Sequence, residues 1–415
     1  MKLVNLLLKI LYVFLLIFTV TVFSLIFVLD GRVADNYKVE KGESFSVSSN
    51  IPISATCDGA WLSQGSIEST VGDIIKVDLK LFGIIPVRSV EVEVVDEMYV
   101  AVLGRPFGMK IYTQGVLVVN FTDVITKNGI KNPAKSAGLK EGDYILSVNG
   151  NEISTNEELS DYVTESNGKT INLKVLRGNK KLDINIKPQL SDETKSYKIG
   201  VWVRDSSAGI GTLTFYSPMT DVVCGLGHGI CDSDTGEILE LESGEMVNAS
   251  ILSVTKGKTG AAGELHGQFL FSGIADILLN SEIGVYGKLK SDIDVSNFVE
   301  VGLKQEIKDG KAQILCTIDG TEPQLYDCTV KKRSSAYFSK QQNLIVTVTD
   351  KRLLDKTGGI VQGMSGSPVV QNGKLVGAIT HVLVDDPTRG YAIFAENMLE
   401  TAQQVADEKA LKDAS

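Results

Sequence analysis

The pattern of apolar positions begins with one long uninterrupted run. Residues 10–29 are all apolar apart from two threonines and one serine, and this length is sufficient to cross a bilayer as a helix. Lys2 and Lys9 precede the run, so the positive-inside rule places the bulk of the chain outside the cytoplasm. A cleaved signal peptide is the alternative, but no small-x-small site precedes Asp30. We predict a cytoplasmic N-terminus at 1–9 and a transmembrane signal-anchor at 10–29.

Beyond this run, apolar and polar residues alternate with the two-residue period of strands. Such stretches occur at Ile74–Leu81, Val90–Val95 and Leu344–Thr349. Residues 30–97 show no helical pattern, and we expect them to form a β-rich spacer. Residues 396–412 are rich in Ala, Glu, Leu and Gln with apolar residues at helical spacing, which predicts a closing helix.

Residues 133–153 read PAKSAGLKEGDYILSVNGNEI and resemble a bacterial PDZ domain. Asn149-Gly150 is typical of a hairpin turn. Thr155 and Glu158 have the spacing of a capping box at the start of a helix. With a predicted hairpin after that helix, these features indicate an α+β PDZ domain over 98–190. Such domains bind an extended peptide at a sheet edge beside the helix.

The carboxylate-binding loop of this domain is predicted at 106–111, where exposed amides would take a peptide carboxylate. Its single glycine, Gly108, departs from the usual Gly-Φ-Gly-Φ pattern. An internal strand or a segment of this same chain is therefore an alternative ligand, and a domain that only packs on its neighbour is another. The predicted peptide contacts are Phe107, Gly108, Met109, Lys110, Ile111, Leu159, Tyr162 and Val163.

Residues 363–368 read GMSGSP and carry the main candidate chemistry. Trypsin-like serine proteases expose their nucleophile on such a loop, and a strand then returns beside it, here predicted near 375–380. Glycine at 363 permits backbone geometry that turns amide N–H groups toward one point. We predict Ser365 as nucleophile and the amides of Gly363 and Ser365 as an oxyanion hole. A plain Gly/Ser hairpin loop is the alternative.

A serine hydroxyl needs a base, and histidine suits that role near neutral pH. The chain has three histidines. His228 lies between glycines in CGLGHGI and is the predicted general base. His381 follows the serine loop and is expected to form part of the substrate wall, while His266 has no catalytic context.

An aspartate usually orients such an imidazole. Asp350 ends a predicted strand shortly before Ser365 and is the leading candidate, with Thr380 expected to donate a hydrogen bond to its carboxylate. Spacing alone favours no acid strongly, because an aspartate at a strand end is usually a turn residue. The rival positions are Asp232, Asp234, Asp355, Asp385 and Asp386.

Charge and cysteine content narrow the possible partners. A formal net charge of −10 argues against a nucleic-acid partner. Five cysteines are too few for a disulfide scaffold, although Cys316 and Cys328 flank a plausible hairpin and could pair. Cys224, His228 and Cys231 could bind zinc, but no fourth ligand follows and a zinc-bound His228 could not serve the serine. We predict neither a metal nor another cofactor.

The order of anchor, PDZ domain and protease, together with the motifs GIGTLTF at 209–215, LGH at 226–228 and KTGGIVQGMSGSP at 356–368, resembles the stage IV sporulation protein B peptidase family. The resemblance covers almost the whole chain. It implies a mainly β protein with a trypsin-like double β-barrel over 191–415. It also implies that His228 is the general base, Asp350 the orienting acid and Ser365 the nucleophile.

The same resemblance implies a sporulation signalling protease in the forespore membrane, facing the intermembrane space. Such enzymes cleave themselves, here predicted within 30–97, and cut a membrane-bound regulator of an intramembrane protease to trigger sigma-factor precursor processing. Two alternatives remain open: a non-catalytic PDZ scaffold and a general extracytoplasmic quality-control protease.

Overall fold

The structure is a computed structural model that describes residues 2–30, 33, 36–47, 52–57, 60–62, 69–178, 180–232, 235–290, 295–333 and 341–413. The chain is mainly β, as predicted. Its helices are α1 (Lys2–Asp30), α2 (Pro133–Ala137), α3 (Asn156–Glu165), α4 (Lys351–Thr357) and α5 (Ala395–Asp413).

The strands fall into three consecutive groups along the chain. The first nine are β1 (Asn36–Glu40), β2 (Ile53–Cys57), β3 (Ala60–Trp61), β4 (Ile74–Leu81), β5 (Ile85–Val95), β6 (Tyr99–Val102), β7 (Pro106–Phe121), β8 (Val124–Thr126) and β9 (Gly129–Lys131). The next nine are β10 (Tyr144–Val148), β11 (Asn151–Glu152), β12 (Ile171–Arg177), β13 (Lys180–Ile186), β14 (Gln189–Leu190), β15 (Tyr197–Lys198), β16 (Val201–Ser217), β17 (Val222–Gly225) and β18 (Leu241–Thr255). The last nine are β19 (Glu264–Ser281), β20 (Gly284–Leu289), β21 (Phe298–Glu300), β22 (Gly310–Cys316), β23 (Gln324–Lys332), β24 (Leu344–Val348), β25 (Pro368–Gln371), β26 (Lys374–Val382) and β27 (Arg389–Phe394).

Helix α1 contains the predicted apolar run. Among the described residues, Asn5–Asp30 is the one helical stretch long and apolar enough to cross a membrane, and its most apolar window is not buried in the protein. Both a membrane anchor and a signal sequence have this character.

The predicted spacer is a separate five-stranded sheet in the order β1-β5-β4-β2-β3. Its core contains Val77 and Val92, both fully buried. Strand β1 also contacts the C-terminal part of the chain, since Lys38 pairs with Glu400 of α5 at 2.7 Å. Residues 31–32, 34–35, 48–51, 58–59 and 63–68, within the predicted self-cleavage region, lie outside the described residues.

Two six-stranded barrels form the centre of the molecule. In the first, which we call the N-terminal barrel, β7-β18-β19-β20-β17-β16 pair in order and β16 returns to pair with β7. In the second, the C-terminal barrel, β22-β23-β24-β27-β26-β25 close in the same way. Helix α5 packs its buried Met398 and Ala402 against strands of both barrels. The predicted double-barrel architecture is confirmed.

The PDZ unit is inserted into the N-terminal barrel rather than placed before it. Strand β7 pairs with β10 of the PDZ sheet at Leu117, and it pairs with the barrel strand β18 at Phe107. Strand β16 likewise begins beside β7 in the PDZ unit, at Val201, and ends in the barrel. Two continuous strands therefore join the domains, and a boundary at 190/191 does not describe them.

The predicted carboxylate-binding loop at Phe107–Ile111 is wrong. Gly108 is opposite Ile210 on one side and Val247 on the other, so the segment has a strand partner at each edge. Phe107 and Ile111 are fully buried, and Met109 and the half-buried Lys110 lie between the same two strands. The alternation of Phe107, Met109 and Ile111 is the period of a barrel strand, because every second side chain enters the core.

The predicted capping box opens α3: Thr155 Oγ1 accepts from the Glu158 amide, and the Glu158 carboxylate accepts from the Thr155 amide. Leu159 and Val163 on α3 are buried in the PDZ core, and Tyr162 is half-buried against it.

A different segment lies along α3. The Asn156 amide at the start of α3 donates to the Asp205 carboxylate at 3.0 Å, and the Tyr197 ring lies against Gly168 just beyond its end. Residues 201–203 pair with β7 on one side and have no other strand partner among the described residues. The sheet edge beside the helix is thus formed by β16.

Candidate active site

The serine loop between α4 and β25 is held by the N-terminal barrel. The Thr212 amide donates to the Ser365 carbonyl at 2.9 Å, and the Thr212 hydroxyl donates to the Gly363 carbonyl at 2.9 Å. The Thr214 hydroxyl donates to the Gly366 carbonyl at 2.7 Å. One strand, β16, therefore holds three carbonyl groups of the loop. Both threonines belong to the motif GIGTLTF, whose pattern alone did not indicate this supporting role.

Gly363 and Gly366 both have a φ of 93°, a conformation that glycine adopts readily and other residues rarely. From 362 to 367 the amides of Gln362, Met364, Gly366 and Ser367 donate to backbone carbonyls. The amides of Gly363 and Ser365 have no partner among the described residues. Two free N–H groups on a tight loop are what an oxyanion hole requires.

His228 lies on the loop after β17, where Leu226 and Gly227 also have positive φ values of 68° and 67°. Its Nδ1 is 2.8 Å from the Gly229 carbonyl oxygen. A carbonyl oxygen only accepts, so Nδ1 carries the proton and Nε2 is the basic nitrogen. Burial lowers the pKa of His228 below its ordinary value, which keeps the ring neutral near pH 7.

The serine and histidine loops meet on β26. The Gly366 amide donates to the Ile379 carbonyl at 2.7 Å, and the Ser365 hydroxyl donates to the Thr380 carbonyl at 2.8 Å. A Cβ atom at Gly227 would lie 3.0 Å from the Thr380 side chain. In this state Ser365 and His228 each bond to a backbone carbonyl rather than to one another. A rotation of the Ser365 hydroxyl would be needed for proton transfer between them.

His381, the residue after Thr380, lies against His228. The two ring centroids are 5.0 Å apart with an interplanar angle of 34°. One side of His381 is exposed to solvent, and the other faces the histidine loop. Loss of hydration on that side lowers the pKa of His381 to about 4, and electrostatic repulsion from the neighbouring His228 contributes to the shift. His266 is elsewhere, at an exposed position where its Nε2 bonds to Thr255 at 2.6 Å.

Asp350 is not brought together with His228 and Ser365. Its carboxylate caps α4 by accepting from the Arg352 amide and also bonds to the Arg352 guanidinium, at 2.7 Å from Nη2. That guanidinium holds the pKa of Asp350 at about 2. The expected donor, Thr380, gives its hydroxyl hydrogen bond to the Gln341 carbonyl instead.

The strand register explains this separation. His381 and Ile345 are both opposite Tyr391 of β27, so they lie at the same level of the barrel. Asp350 follows Ile345 by five residues, which corresponds to roughly 16 Å along the strand. Sequence proximity to Ser365 therefore did not place Asp350 in the same cleft. Among its rivals, Asp232 is buried in an ion pair with Arg204, and Asp234 lies outside the described residues.

Asp350→Ala is expected to lower the free energy of unfolding by about 1–2 kcal/mol, because α4 loses its N-cap. Asp350→Asn should cost less, since asparagine caps helices nearly as well. Urea denaturation measures both changes. The activity of folded Asp350→Asn protein tests whether the role of Asp350 is only structural. A fall in kcat of about 10⁴-fold would contradict that role and would mean that this carboxylate reaches His228 during turnover.

The cysteines of the zinc hypothesis differ in environment. Cys224 is buried between the barrels, whereas Cys231 is exposed. Within the described residues, no group of three or more His, Cys, Asp or Glu side chains is arranged to hold a metal ion. Cys316 and Cys328 are free thiols in the C-terminal barrel, opposite Gln324 and Ala312 respectively.

Comparison with protein-family models gives two matches. Residues 195–399 match the family described as SpoIVB peptidase S55, and residues 91–187 match the PDZ domain. The first match covers both loops of the candidate site. The second begins in the N-terminal sheet and includes β6 and the barrel half of β7.

Curated relatives match only short stretches. A protein of Nostoc sp. (strain PCC 7120) whose name describes it as a zinc metalloprotease, all3971, is 42% identical over 72 residues, covering 16% of this chain and 20% of that protein. Serine protease HTRA1 of Xenopus tropicalis is 39% identical over 57 residues, covering 14% of this chain and 12% of that protein. The chain thus matches one fifth or less of the length of these relatives.

Two solved structures, the PDZ domains of SdrC-like proteins from Listeria monocytogenes and Listeria innocua, are 26% and 28% identical. They cover 22% of this chain and 87% and 93% of their own chains, each with a TM-score of 0.18.

Proposed function

Because residues 195–399 belong to the SpoIVB peptidase S55 family and follow a PDZ domain, we propose that this serine peptidase is a membrane-anchored sporulation signalling protease. The observation that carries the proposal is the meeting of the Ser365 and His228 loops on Ile379 and Thr380, with two free amides beside the serine. A helix able to span a membrane precedes these domains, which supports the anchor.

The proposed chemistry uses Ser365 and His228 directly. The Ser365 hydroxyl turns from the Thr380 carbonyl toward Nε2 of His228, which takes its proton as Oγ attacks a peptide carbonyl. The amides of Gly363 and Ser365 donate to the resulting oxyanion. His228 then gives the proton to the leaving amine as the C–N bond breaks, and water hydrolyses the acyl-enzyme. The role of Asp350 as orienting acid rests on the family resemblance alone.

The proposed substrate is a membrane-bound regulator of an intramembrane protease, cut in the space outside the forespore membrane. We also propose that the enzyme cleaves itself within 30–97, between α1 and the first barrel strand. A cut there would separate the barrels from the membrane helix.

Labelling of the full chain with a fluorophosphonate probe tests the enzyme assignment. We expect an adduct on Ser365 and self-cleavage in wild-type protein, and neither in Ser365→Ala. Wild-type protein without an adduct would favour the non-catalytic scaffold. Efficient digestion of unfolded casein would favour a general quality-control protease over a dedicated signalling enzyme.

For the PDZ unit we propose a peptide site along residues 201–203 of β16, beside α3. This edge offers main-chain groups for an added strand, and Trp202 on it is 62% exposed. In a Trp61→Phe background Trp202 is the single tryptophan. Peptides selected from a random library with free C-termini should change its fluorescence. Unchanged fluorescence on binding would place the peptide site elsewhere.

A further inference from the structure

The candidate site contains a second imidazole that the proposed chemistry does not use. His381 follows Thr380, whose carbonyl accepts the Ser365 hydroxyl at 2.8 Å. Its ring packs on that of His228 at a centroid distance of 5.0 Å. His381 is therefore held beside both the nucleophile and the base by one strand, β26.

Among the residues that the structure describes, no carboxylate performs the orienting role. Within that part of the chain His228 has one hydrogen bond, from Nδ1 to the Gly229 carbonyl, and the Asp350 carboxylate is bound to Arg352. A single hydrogen bond to a neighbouring backbone atom fixes one nitrogen and leaves the ring free to tilt about it. The ring of His381, packed at 34° to the ring of His228, restricts that tilt.

We propose that His381 is a positioning residue of the peptidase reaction, holding the His228 ring in the orientation from which Nε2 reaches Ser365. This inference rests on the proposed function of His228 as general base.

Neutrality of His381 is part of the role. With its pKa at about 4, His381 is uncharged near pH 7, so it does not repel the imidazolium that forms on His228 there. The other titratable or charged groups near the pair among the described residues are Cys231, whose thiol shares the Gly229 carbonyl, and Tyr391, opposite His381 with Arg333 over its ring. Glu282 is linked to Thr380 through Gln341. None of these groups forms a hydrogen bond with either imidazole.

Two substitutions of His381 test whether its ring positions that of His228. His381→Phe keeps a ring of similar size, whereas His381→Ala removes it. The substrate is p-nitrophenyl acetate, because so small an ester makes few contacts with a substrate wall. We expect His381→Ala to lower kcat roughly 10- to 100-fold, the range for a misplaced catalytic group, with KM little changed. His381→Phe should retain most of kcat, and His266→Ala should match wild type.

The pH profile gives a second readout. Burial holds the pKa of His228 below its ordinary value, and removal of the neighbouring ring admits water. The pKa of His228 should then rise in His381→Ala, so the acid limb of kcat/KM moves to higher pH. His381→Phe covers His228 and should leave the limb in place. A merely structural role would lower the folded fraction without moving this limb.

The outcomes are distinguishable. If wild-type protein forms no fluorophosphonate adduct at Ser365, the proposed function fails. If wild type is labelled and His381→Ala hydrolyses the ester at the wild-type rate, the positioning role is overturned while the peptidase assignment stands. A raised KM for peptides with unchanged kcat for the ester would make His381 a wall residue only. Thermal unfolding of each variant verifies that it is folded.

Discussion

Ser365→Ala and His228→Ala are each expected to reduce kcat by about 10⁴- to 10⁶-fold, and the double variant should be no slower than the worse single one. In the proposed mechanism the two side chains act in one proton transfer, so loss of either should remove the whole step. Residual hydrolysis would come from substrate binding and from the free amides of Gly363 and Ser365. Initial rates of ester hydrolysis and of self-cleavage, measured for both single variants and for the double variant, check this prediction.

Stability should change little in these variants. Among the described residues the Ser365 hydroxyl forms one hydrogen bond, to the Thr380 carbonyl, and the loop keeps its bond to the Thr212 amide. His266→Ala is the matched control, because His266 is an exposed histidine whose ring bonds to Thr255. Self-cleavage by purified Ser365→Ala at the wild-type rate would contradict the assignment of the nucleophile.

Gly366→Ala is expected to have the largest effect on stability, with a loss of about 2–5 kcal/mol. A φ of 93° disfavours any Cβ by about 1–2 kcal/mol. At Gly366 the added Cβ would also overlap the carbonyl oxygen of Thr212. The serine loop would have to move away from β16 to relieve this contact, which adds about 1–3 kcal/mol. Because the same movement displaces Ser365, activity should fall in the folded fraction as well.

Gly373→Ala provides the matched control for this prediction. Gly373 has a φ of 83°, but a Cβ there would have no neighbour within 4 Å. The Gly373→Ala variant should therefore lose about 1–2 kcal/mol of stability, which is the cost of the backbone conformation alone. Its labelling by the fluorophosphonate probe should be normal. Urea denaturation and labelling rates measure both variants. Equal losses of stability at 366 and 373 would mean that the contact with Thr212 is not a constraint.

Strands β7 and β16 connect the PDZ unit directly to the N-terminal barrel. Residues 201–205 of β16 lie in the PDZ unit, and Thr212 and Thr214 of the same strand bond to the serine loop. No flexible linker separates the two regions. A peptide added along 201–203 would therefore bind to the strand that supports Ser365.

Local sequence patterns predicted several elements well. The apolar run became α1, the Thr155–Glu158 spacing became a capping box, and the closing helix became α5. Each of these features is defined by residues within a few positions of one another. The GMSGSP segment belongs to the same class, because its glycines and free amides are properties of one tight loop.

The errors concern partners far apart along the chain. Phe107–Ile111 looked like an exposed loop beside a PDZ motif, yet its two edges pair with strands about 100 and 140 residues later. Asp350 is near Ser365 in sequence, yet the barrel register places it away from His228, and Arg352, two residues away, takes its carboxylate. Neither outcome depends on local composition.

The sequence by itself determined the helix of membrane-spanning length, the presence of a PDZ domain and of barrel strands, and the loops that carry the candidate nucleophile and base, since each of these depends on residues close together in the chain. Only the tertiary structure decided that the PDZ unit lies within a barrel, that Thr212 and Thr214 support the serine loop, and that His381 rather than Asp350 lies beside His228. Strand pairing and barrel closure set these contacts, and both are governed by hydrogen bonds and burial between distant segments, which no local pattern encodes.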